Sequence, residues 1–323
     1  MKVGIVGDGI AGRTLHRLLK ARNVPVELFG ERKKTHCQIR SCGFGTSAAC
    51  VSLVRRLGIP PQEYVIGHHL FITLGGRRIA GDLYSIDKPR LLAALSADIS
   101  YEAPRLAAYD LVIDATGVRR ALAPRIPAAA DKIATGYQYR AELDAPPLPS
   151  FDPIRGGYLW TIPLGDGEAH IGGASTVLPR AEVENLLRPY LRARQPGRIV
   201  CSCSEELRMS GPLFPLVSGN VVAVGESAGL VVPFGAAGIH SAFESAALLA
   251  ECISTGDLPG YEHAIRKRFG RLGPARRIID QLETGHFSFA GFPTAYWTLR
   301  YQGLRPTILD LFDIRRMLLT ANR

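Results

Sequence analysis

Short apolar runs alternate with stretches of helical periodicity over the first third of the chain. Their spacing predicts a buried strand ending at Val6, an amphipathic helix over about 11–21 and a second strand over 25–29. Another buried strand is predicted within 109–117. Continuous apolar runs of this length are typical of strands in a parallel sheet covered on both faces. The first part of the chain is therefore predicted to be an α/β domain.

The middle of the chain has a different pattern, in which polar and apolar positions alternate. A helix is predicted over about 47–57, followed by a hairpin of strands over 69–74 and 77–83. Residues 131–210 are predicted to form an antiparallel insertion with one helix at 181–192. Its strands are predicted at 136–143, 158–162, 168–174 and 199–205.

A glycine-rich turn, Gly7-Asp8-Gly9-Ile10-Ala11-Gly12, follows the first predicted strand. Gly7 allows the tight turn, Gly9 lets the backbone approach a pyrophosphate, and Gly12 lets the helix pack closely on the strand. The start of the helix, with Ile10 and Ala11, presents N–H groups and a positive dipole end to phosphates. The turn therefore predicts a dinucleotide-binding site.

An acidic residue after the second strand is expected to bind the ribose hydroxyls of the adenosine. By spacing, this position falls on Gly30, and Glu31 comes directly after it. We predict that Glu31 takes the role through a small shift of register, with Glu27 as the weaker candidate. The adjacent Arg32 is included in the predicted cofactor site.

A second glycine-rich segment lies far along the chain, after another strand-like run. It spans 220–229 and is followed by Pro233-Phe234-Gly235-Ala236-Ala237-Gly238-Ile239. Either segment alone is a weak signal. Together, in this order, they predict one dinucleotide held at both ends, which is how a chain holds FAD.

Composition is consistent with a globular protein that has a large core: 323 residues, 46% hydrophobic and 21% charged. No apolar run reaches the ~20 residues that span a bilayer, and the N-terminal strand argues against a signal peptide. We therefore expect a cytoplasmic protein. The six cysteines lack the paired spacing of zinc ligands, so no metal site is predicted.

The formal net charge of +10 favours anionic partners. These could be anionic substrates, phospholipid surfaces or nucleic acid. Much of the excess lies in arginine-rich stretches near the C-terminus, where no nucleic-acid-binding module is recognisable. We therefore predict no nucleic-acid partner.

Three segments carry a resemblance to a known family: the N-terminal glycine turn, Tyr158-Leu159-Trp160-Thr161-Ile162-Pro163 with His170-Ile171-Gly172-Gly173-Ala174, and 222–251. With them the chain resembles the geranylgeranyl reductase branch of the FAD-dependent oxidoreductases. These belong to the glutathione-reductase-like (para-hydroxybenzoate hydroxylase type) flavoproteins.

The resemblance implies an α/β fold made of three parts. These are an FAD-binding Rossmann-like domain of the glutathione-reductase type, an inserted antiparallel-sheet substrate domain and a helical C-terminus. The predicted bounds are 1–58, 85–130 and 211–255 for the FAD-binding domain, 59–84 and 131–210 for the substrate domain, and 256–323 for the helical region.

The resemblance also implies FAD as the cofactor and a reductase that saturates carbon–carbon double bonds of a polyprenyl (geranylgeranyl-type) lipid. Reduced flavin would deliver the hydride. The expected partners are a polyprenyl lipid or other apolar substrate with an anionic headgroup and an external electron donor of unknown identity. Peripheral contact with a membrane is expected as well.

Individual residues carry over from the family by position. Glu226 stands where most relatives have the aspartate that binds the ribityl chain. Cys42 is the candidate catalytic residue, with a redox role or a small buried residue beside the flavin as alternatives. Tyr158, Trp160 and Pro163 would line the lipid pocket. The cofactor residues implied in this way are Arg40, Cys42, Gly43, Thr116, Gly117, Glu226, Gly235, Ala236, Gly238 and Ile239.

Two departures from the family pattern keep other functions open. The stretch 95–109 is too short for the β-meander usual there, and Asp114-Ala115-Thr116-Gly117 replaces an Ala-Asp-Gly turn. One alternative is an FAD-dependent monooxygenase, either a hydroxylase or halogenase-like, because the segment at Trp160 is also similar to a halogenase motif. The other is a non-catalytic flavin- or lipid-binding protein.

Overall fold

The computed structural model describes residues 1–32, 42–145 and 147–322. In these residues the strands are β1 (Val3–Val6), β2 (Val26–Phe29), β3 (Gly45–Ser47), β4 (Val65–Leu74), β5 (Arg77–Ile86), β6 (Leu111–Asp114), β7 (Ile133–Glu142), β8 (Ser150–Ile154), β9 (Gly157–Gly165), β10 (Glu168–Ser175), β11 (Ile199–Arg208), β12 (Val217–Ser218) and β13 (Val221–Ala223). The helices are α1 (Ile10–Ala21), α2 (Ala48–Arg56), α3 (Lys88–Leu95), α4 (Arg180–Arg192), α5 (Ile239–Thr255), α6 (Gly260–Phe269), α7 (Leu272–Glu283), α8 (Phe292–Tyr301) and α9 (Ile308–Ala321).

The chain divides into two compact units. The first comprises Met1–Lys34, Pro89–Lys132 and Arg208–Gly273, and the second comprises Thr35–Lys88, Ile133–Leu207 and Pro274–Arg323. The domain boundaries expected from the sequence place residues 42–58 in the cofactor domain. In the structure this stretch belongs to the second unit, because β3 pairs with β5 and α2 packs on the same strand.

The first unit is built on a sheet with the strand order β12-β13-β6-β1-β2 in the described residues. β1 lies between β2 and β6 and runs parallel to both. Its side chains Val3 and Ile5 are fully buried, which explains the uninterrupted apolar run in the sequence. Helices α1 and α5 pack against each other beside this sheet. The parallel α/β arrangement predicted from the apolar runs is confirmed.

The second unit contains a long sheet with the order β11-β7-β10-β9-β8-β4-β5-β3 in the described residues. Its pairs β7–β10, β9–β10 and β4–β5 are antiparallel, and α4 packs on β7 and β10 through Val183 and Leu187. The predicted antiparallel insertion and the hairpin are confirmed. The sequence pattern missed β8, because Pro153 argues against a central strand. The sheet accommodates this proline because β4 pairs only with Ser150 and Phe151 of β8.

The last part of the chain is helical, as predicted, from α6 to α9. Helix α9 begins with a capping box, in which Thr307 accepts from the backbone N–H of Asp310 and Asp310 accepts from that of Thr307. The mainly parallel sheet of the first unit, the largely antiparallel sheet of the second unit and these C-terminal helices together confirm the predicted fold class. Nowhere in the described part of the chain does a helix combine the length and apolarity needed to cross a bilayer.

Candidate functional site

The three glycines of the N-terminal turn have different reasons to be glycine. Gly7 has φ +117°, and a Cβ there would lie 2.2 Å from the carbonyl oxygen of Ala115. A Cβ on Gly12 would lie 1.9 Å from the carbonyl oxygen of Gly7. A Cβ on Gly9 would have no atom within 4 Å. The fold therefore requires Gly7 and Gly12, whereas at Gly9 the backbone faces open space that suits the pyrophosphate of a dinucleotide.

The start of helix α1 offers an anion site next to Gly9. Gly9 is the N-cap residue, and it has no side chain that could accept from the N–H groups of the first turn. These N–H groups, which include those of Ile10 and Ala11, can therefore donate to an anion. The guanidinium of Arg13 ties the turn to neighbouring backbone through three hydrogen bonds. It donates to the carbonyl oxygens of Asp8 at 2.8 Å, Leu92 at 2.9 Å and Ser96 at 2.6 Å.

The second glycine segment meets the first one in the folded unit. Gly225 has φ +66°, and a Cβ on it would lie 2.8 Å from the Cβ of Ala11 at the start of α1. Gly229, with φ +77°, is held as closely, since its Cβ would lie 1.9 Å from the carbonyl oxygen of Gly211. Two segments that are far apart in the sequence therefore lie against each other at Gly225 and Ala11, as expected if both contact one ligand.

The loop before α5 brings together four of the residues implied by the family resemblance. Gly235 has φ +109° and Ala236 has φ +54°, so this loop has two successive residues with left-handed backbone. The N–H of Val232 donates to the carbonyl of Ala237 at 3.1 Å and closes the loop. Gly238 is the N-cap of α5, and Ile239 is its first residue. The positive end of this helix is suited to stabilise a nearby anion.

A buried carboxylate that sequence reasoning did not single out organises the turn at Thr116 and Gly117. Asp114 is fully buried at the end of β6. Its Oδ1 accepts from the backbone N–H of Thr116 at 3.0 Å and from the Thr116 hydroxyl at 2.6 Å. Its Oδ2 accepts from the N–H groups of Leu122 and Ala123, both at 2.8 Å. In the sequence, Asp114 is simply an acidic residue at the end of a strand. Nothing in the neighbouring residues indicates that its carboxylate accepts hydrogen bonds from the loop that follows.

The acidic candidates of the first unit have protein partners. Glu31 is mostly exposed and pairs with Arg119 at 2.7 Å. Glu27 accepts from Lys2 and from the Tyr109 hydroxyl, and these hydrogen bonds lower the pKa of its carboxyl. Oε1 of Glu226 accepts from the backbone N–H of Arg208 at 2.9 Å. The cofactor roles assigned to Glu31 and Glu226 stay predictions.

Two further predicted cofactor residues are Arg32, which ends the first described range, and Arg40. The guanidinium of Arg32 lies 4.9 Å from the centre of the Tyr101 ring. Arg40 lies outside the described residues. The cofactor role of each stays a prediction.

In the second unit, strand β9 carries the predicted substrate residues. Tyr158 and Trp160 lie on one face, with ring centres 5.8 Å apart. Trp160 is opposite Gly172 on β10, and a Cβ there would lie 2.3 Å from the indole, so only glycine leaves room for the ring. Burial raises the pKa of the Tyr158 hydroxyl, which keeps it protonated at neutral pH. Pro163 follows on the same strand.

Next to this strand lies the loop with Cys42 and Gly43. A Cβ on Gly43 would lie 2.8 Å from Ile162 and 3.6 Å from the indole nitrogen of Trp160. The carbonyl of Cys42 accepts from Nε2 of Gln138 at 3.3 Å. Cys42 and Gly43 are therefore brought to the aromatic face of β9, although their roles toward a flavin stay predictions.

His170 is a buried residue of this unit that the sequence assigned no role. Its ring packs on Phe44, with ring centres 4.5 Å apart, and it is 1% exposed. Burial, together with the charge of Arg140, lowers its pKa to about 3. His170 is therefore neutral at physiological pH. Within the part of the chain that the structure covers, no three histidine, cysteine or acidic side chains cluster as metal ligands do.

Comparisons with known proteins give named reductases that match part of this chain. No protein-family model matches the chain. It is 30% identical over 161 residues to a menaquinone reductase of Mycobacterium tuberculosis, which is 44% of this chain and 40% of that protein. It is 31% identical over 129 residues to a digeranylgeranylglycerophospholipid reductase of Methanocella arvoryzae, covering 36% and 33% of the two chains. These matches span less than half the length of the curated relatives.

Similarity of fold extends over nearly the whole chain. A geranylgeranyl bacteriochlorophyll reductase-like protein of Thermoplasma acidophilum superposes with a TM-score of 0.74 at 18% identity, covering 97% of this chain and 95% of that one. A flavin-dependent halogenase of Xanthomonas campestris and a salicylate hydroxylase share the fold too, with TM-scores of 0.66 and 0.63 at 12% and 17% identity. These neighbours show a shared fold. The chain therefore has the fold of the FAD-dependent oxidoreductases and is similar to their geranylgeranyl reductase-like members, which confirms the resemblance seen in the sequence.

Proposed function

We propose that this chain is an FAD-dependent reductase that saturates carbon–carbon double bonds of a polyprenyl lipid. The observation that carries the proposal is the aromatic face of β9, where Tyr158 and Trp160 lie beside the Cys42–Gly43 loop. An apolar isoprenoid fits such a surface, because aromatic rings bury a large apolar area against it. The similarity over part of the chain to a digeranylgeranylglycerophospholipid reductase supports the same proposal.

The chain's own residues would bind the cofactor and orient the lipid. The backbone at Gly9 and the start of α1 would hold the pyrophosphate, and the N-terminus of α5 would stabilise negative charge on the reduced ring. FAD, when bound, supplies the redox chemistry: reduced flavin gives a hydride to one alkene carbon, and a proton completes the other. Tyr158 and Trp160 would position the double bond and exclude water.

Anaerobic reoxidation tests this function. The holoenzyme is reduced with dithionite, and a geranylgeranyl lipid is added without oxygen. We expect the oxidised flavin spectrum to return as the lipid gains two hydrogen atoms per saturated bond. If the lipid leaves the reduced flavin unchanged and oxygen instead yields a hydroxylated or halogenated substrate, the chain is a monooxygenase. Tight binding of FAD and lipid with no turnover would identify a binding protein.

The same assay tests Cys42 as the catalytic residue. Cys42→Ala is expected to slow lipid-dependent reoxidation about 100-fold if the thiol takes part in the chemistry, with FAD affinity unchanged. An unchanged rate would assign Cys42 a structural role beside the flavin.

Peripheral membrane contact belongs to the same proposal and is supported by a surface of the second unit. Phe289, Ile308, Leu309 and Phe312 form a C-terminal apolar patch; Ile308 is 73% exposed and Leu309 is 70% exposed. The rings of Phe289 and Phe312 lie 5.7 Å apart. Arginines accompany the patch in the sequence, at 305, 315 and 316, and the guanidinium of Arg315 lies over Phe289. Exposed apolar side chains next to arginines suit the headgroup region of an anionic bilayer.

Changing Ile308 and Leu309 together to serine is expected to weaken binding to vesicles with anionic lipid by at least about tenfold, because each side chain gains about 1.5 kcal/mol or more on leaving water. Vesicle sedimentation measures it. The matched control is Leu186→Ser with Ile199→Ser, which changes two partly exposed apolar residues of the same unit. Membrane contact would be contradicted if both double variants bound the vesicles equally well. It would also be contradicted if the C-terminal apolar patch instead joined two copies of this chain as a dimer.

A further inference from the structure

The position expected to bind the adenosine ribose has no side chain in this protein. Gly30 comes directly after β2, where the acidic residue of a dinucleotide site is expected. The N–H of Gly30 is committed to the carbonyl of Ser100 at 2.9 Å. The site therefore lacks its usual carboxylate at the end of the strand.

Another carboxylate occupies that place. A Cβ on Gly30 would lie 2.8 Å from Cγ of Asp8 and 2.9 Å from its Oδ2. Asp8 stands between Gly7 and Gly9 in the N-terminal turn. Its carboxylate thus lies where a side chain at position 30 would begin, and glycine at 30 makes room for it and for the side chain of Ile99, whose Cγ2 would also lie 2.8 Å from that Cβ.

The carboxylate of Asp8 is held in this place while keeping acceptor capacity. Its Oδ2 is 3.6 Å from the guanidinium of Arg13, and that guanidinium is itself anchored to the carbonyls of Leu92 and Ser96. The Asp8 side chain is 15% exposed, so it is mostly buried but still accessible to a ligand. A carboxylate has about four acceptor sites, so one guanidinium contact leaves room for two hydroxyl donors.

The alternative carboxylate, that of Glu31, has a different environment. It is 60% exposed and pairs with Arg119, which is equally exposed. An exposed pair of this kind places the carboxylate poorly for a ligand, because both side chains are free to change rotamer in water.

We propose that Asp8, on the glycine turn, binds the ribose hydroxyls of the adenosine in place of an acidic residue at the end of β2. The proposal rests on the proposed binding of FAD. It assigns to the turn two contacts with one ligand: the backbone at Gly9 to the pyrophosphate and the side chain of Asp8 to the ribose.

A test that isolates the ribose contact uses ADP and 2′-deoxy-ADP as competitors of FAD for the apoprotein of the full chain. The wild-type protein is expected to bind ADP about tenfold more tightly than 2′-deoxy-ADP, since a hydrogen bond to a charged group is lost. In Asp8→Asn, which keeps the shape of the side chain but has only one, neutral acceptor oxygen, this ratio is expected to fall to about threefold or less. The matched control Glu31→Gln is expected to keep the wild-type ratio.

Three results would overturn the proposal. If Asp8→Asn weakens both nucleotides equally, Asp8 only supports the turn through Arg13. If Glu31→Gln removes the preference and Asp8→Asn does not, the ribose contact belongs to Glu31. If the wild-type protein shows no preference, neither carboxylate binds the ribose. Failure of the wild-type protein to bind FAD at all is a separate outcome, and it would contradict the proposed function as well.

Discussion

Gly9→Val is expected to weaken FAD binding at least about 100-fold while leaving the protein folded. The fold places no demand on this position: the backbone has φ −77° and ψ −171°, which valine adopts readily, and a Cβ would meet no protein atom within 4 Å. The side chain would instead fill the space of the pyrophosphate. Each lost hydrogen bond to a charged group costs about 1.5–3 kcal/mol, so two of them account for the loss. Equilibrium titration of the apoprotein with FAD measures the affinity, and thermal unfolding measures the stability.

The control for this prediction is Gly197→Val. Gly197 also has open space where a Cβ would be, but it lies outside the glycine turns, so FAD affinity is expected to stay unchanged. The stability of Gly9→Val is expected to change by less than about 1 kcal/mol, the size of an N-cap effect. Normal FAD affinity in Gly9→Val would show that no phosphate lies at this turn and would contradict the proposed cofactor site.

Asp114→Ala is expected to destabilise the protein by about 3–5 kcal/mol, a large part of the stability of a typical domain. The substitution leaves three N–H groups without their acceptor: that of Ala123, which is buried, and those of Thr116 and Leu122, which are half-buried. Each such group costs about 1–3 kcal/mol. Denaturant unfolding, followed by circular dichroism, measures the change in the free energy of unfolding.

Two companion variants show whether the buried hydrogen bonds are the cause. Asp114→Asn keeps one oxygen acceptor but presents an amide N–H₂ at the other position, so an intermediate loss is expected. Asp98→Ala removes an exposed carboxylate that pairs with Lys20, and the expected loss is below about 1 kcal/mol. Similar losses for Asp114→Ala and Asp98→Ala would mean that the loop is held by other contacts.

The local elements of the first unit could be predicted because short-range physics decides them. The run before Gly7 is uninterrupted since both faces of β1 are covered, and the helix over Ile10–Ala21 differs from the predicted one by a single residue at its start. The strands and helix of the antiparallel insertion followed from alternation and helical spacing in the same way. The resemblance carried by Tyr158 and Trp160 required only the identity and order of residues.

Other features of the candidate site depend on which segments meet. The sequence contains two glycine turns, but only the folded unit brings Gly225 against Ala11. In the sequence, Asp114 could have been an ordinary residue at the end of a strand. It holds the following loop because the fold brings the N–H groups of Leu122 and Ala123 to its carboxylate. The low pKa of His170 depends on the burial of its ring in the folded unit and on the nearby charge of Arg140.

The sequence by itself therefore determined most of the strands and helices, the glycine turns and the family that the chain resembles. Each of these is set by neighbours within a few residues along the chain. The tertiary structure alone decided that Asp8 fills the place left by Gly30, because that contact joins the turn after one strand to the residue after the next. A periodic pattern records which face of an element is buried, whereas the partner of each side chain is set by packing between distant segments.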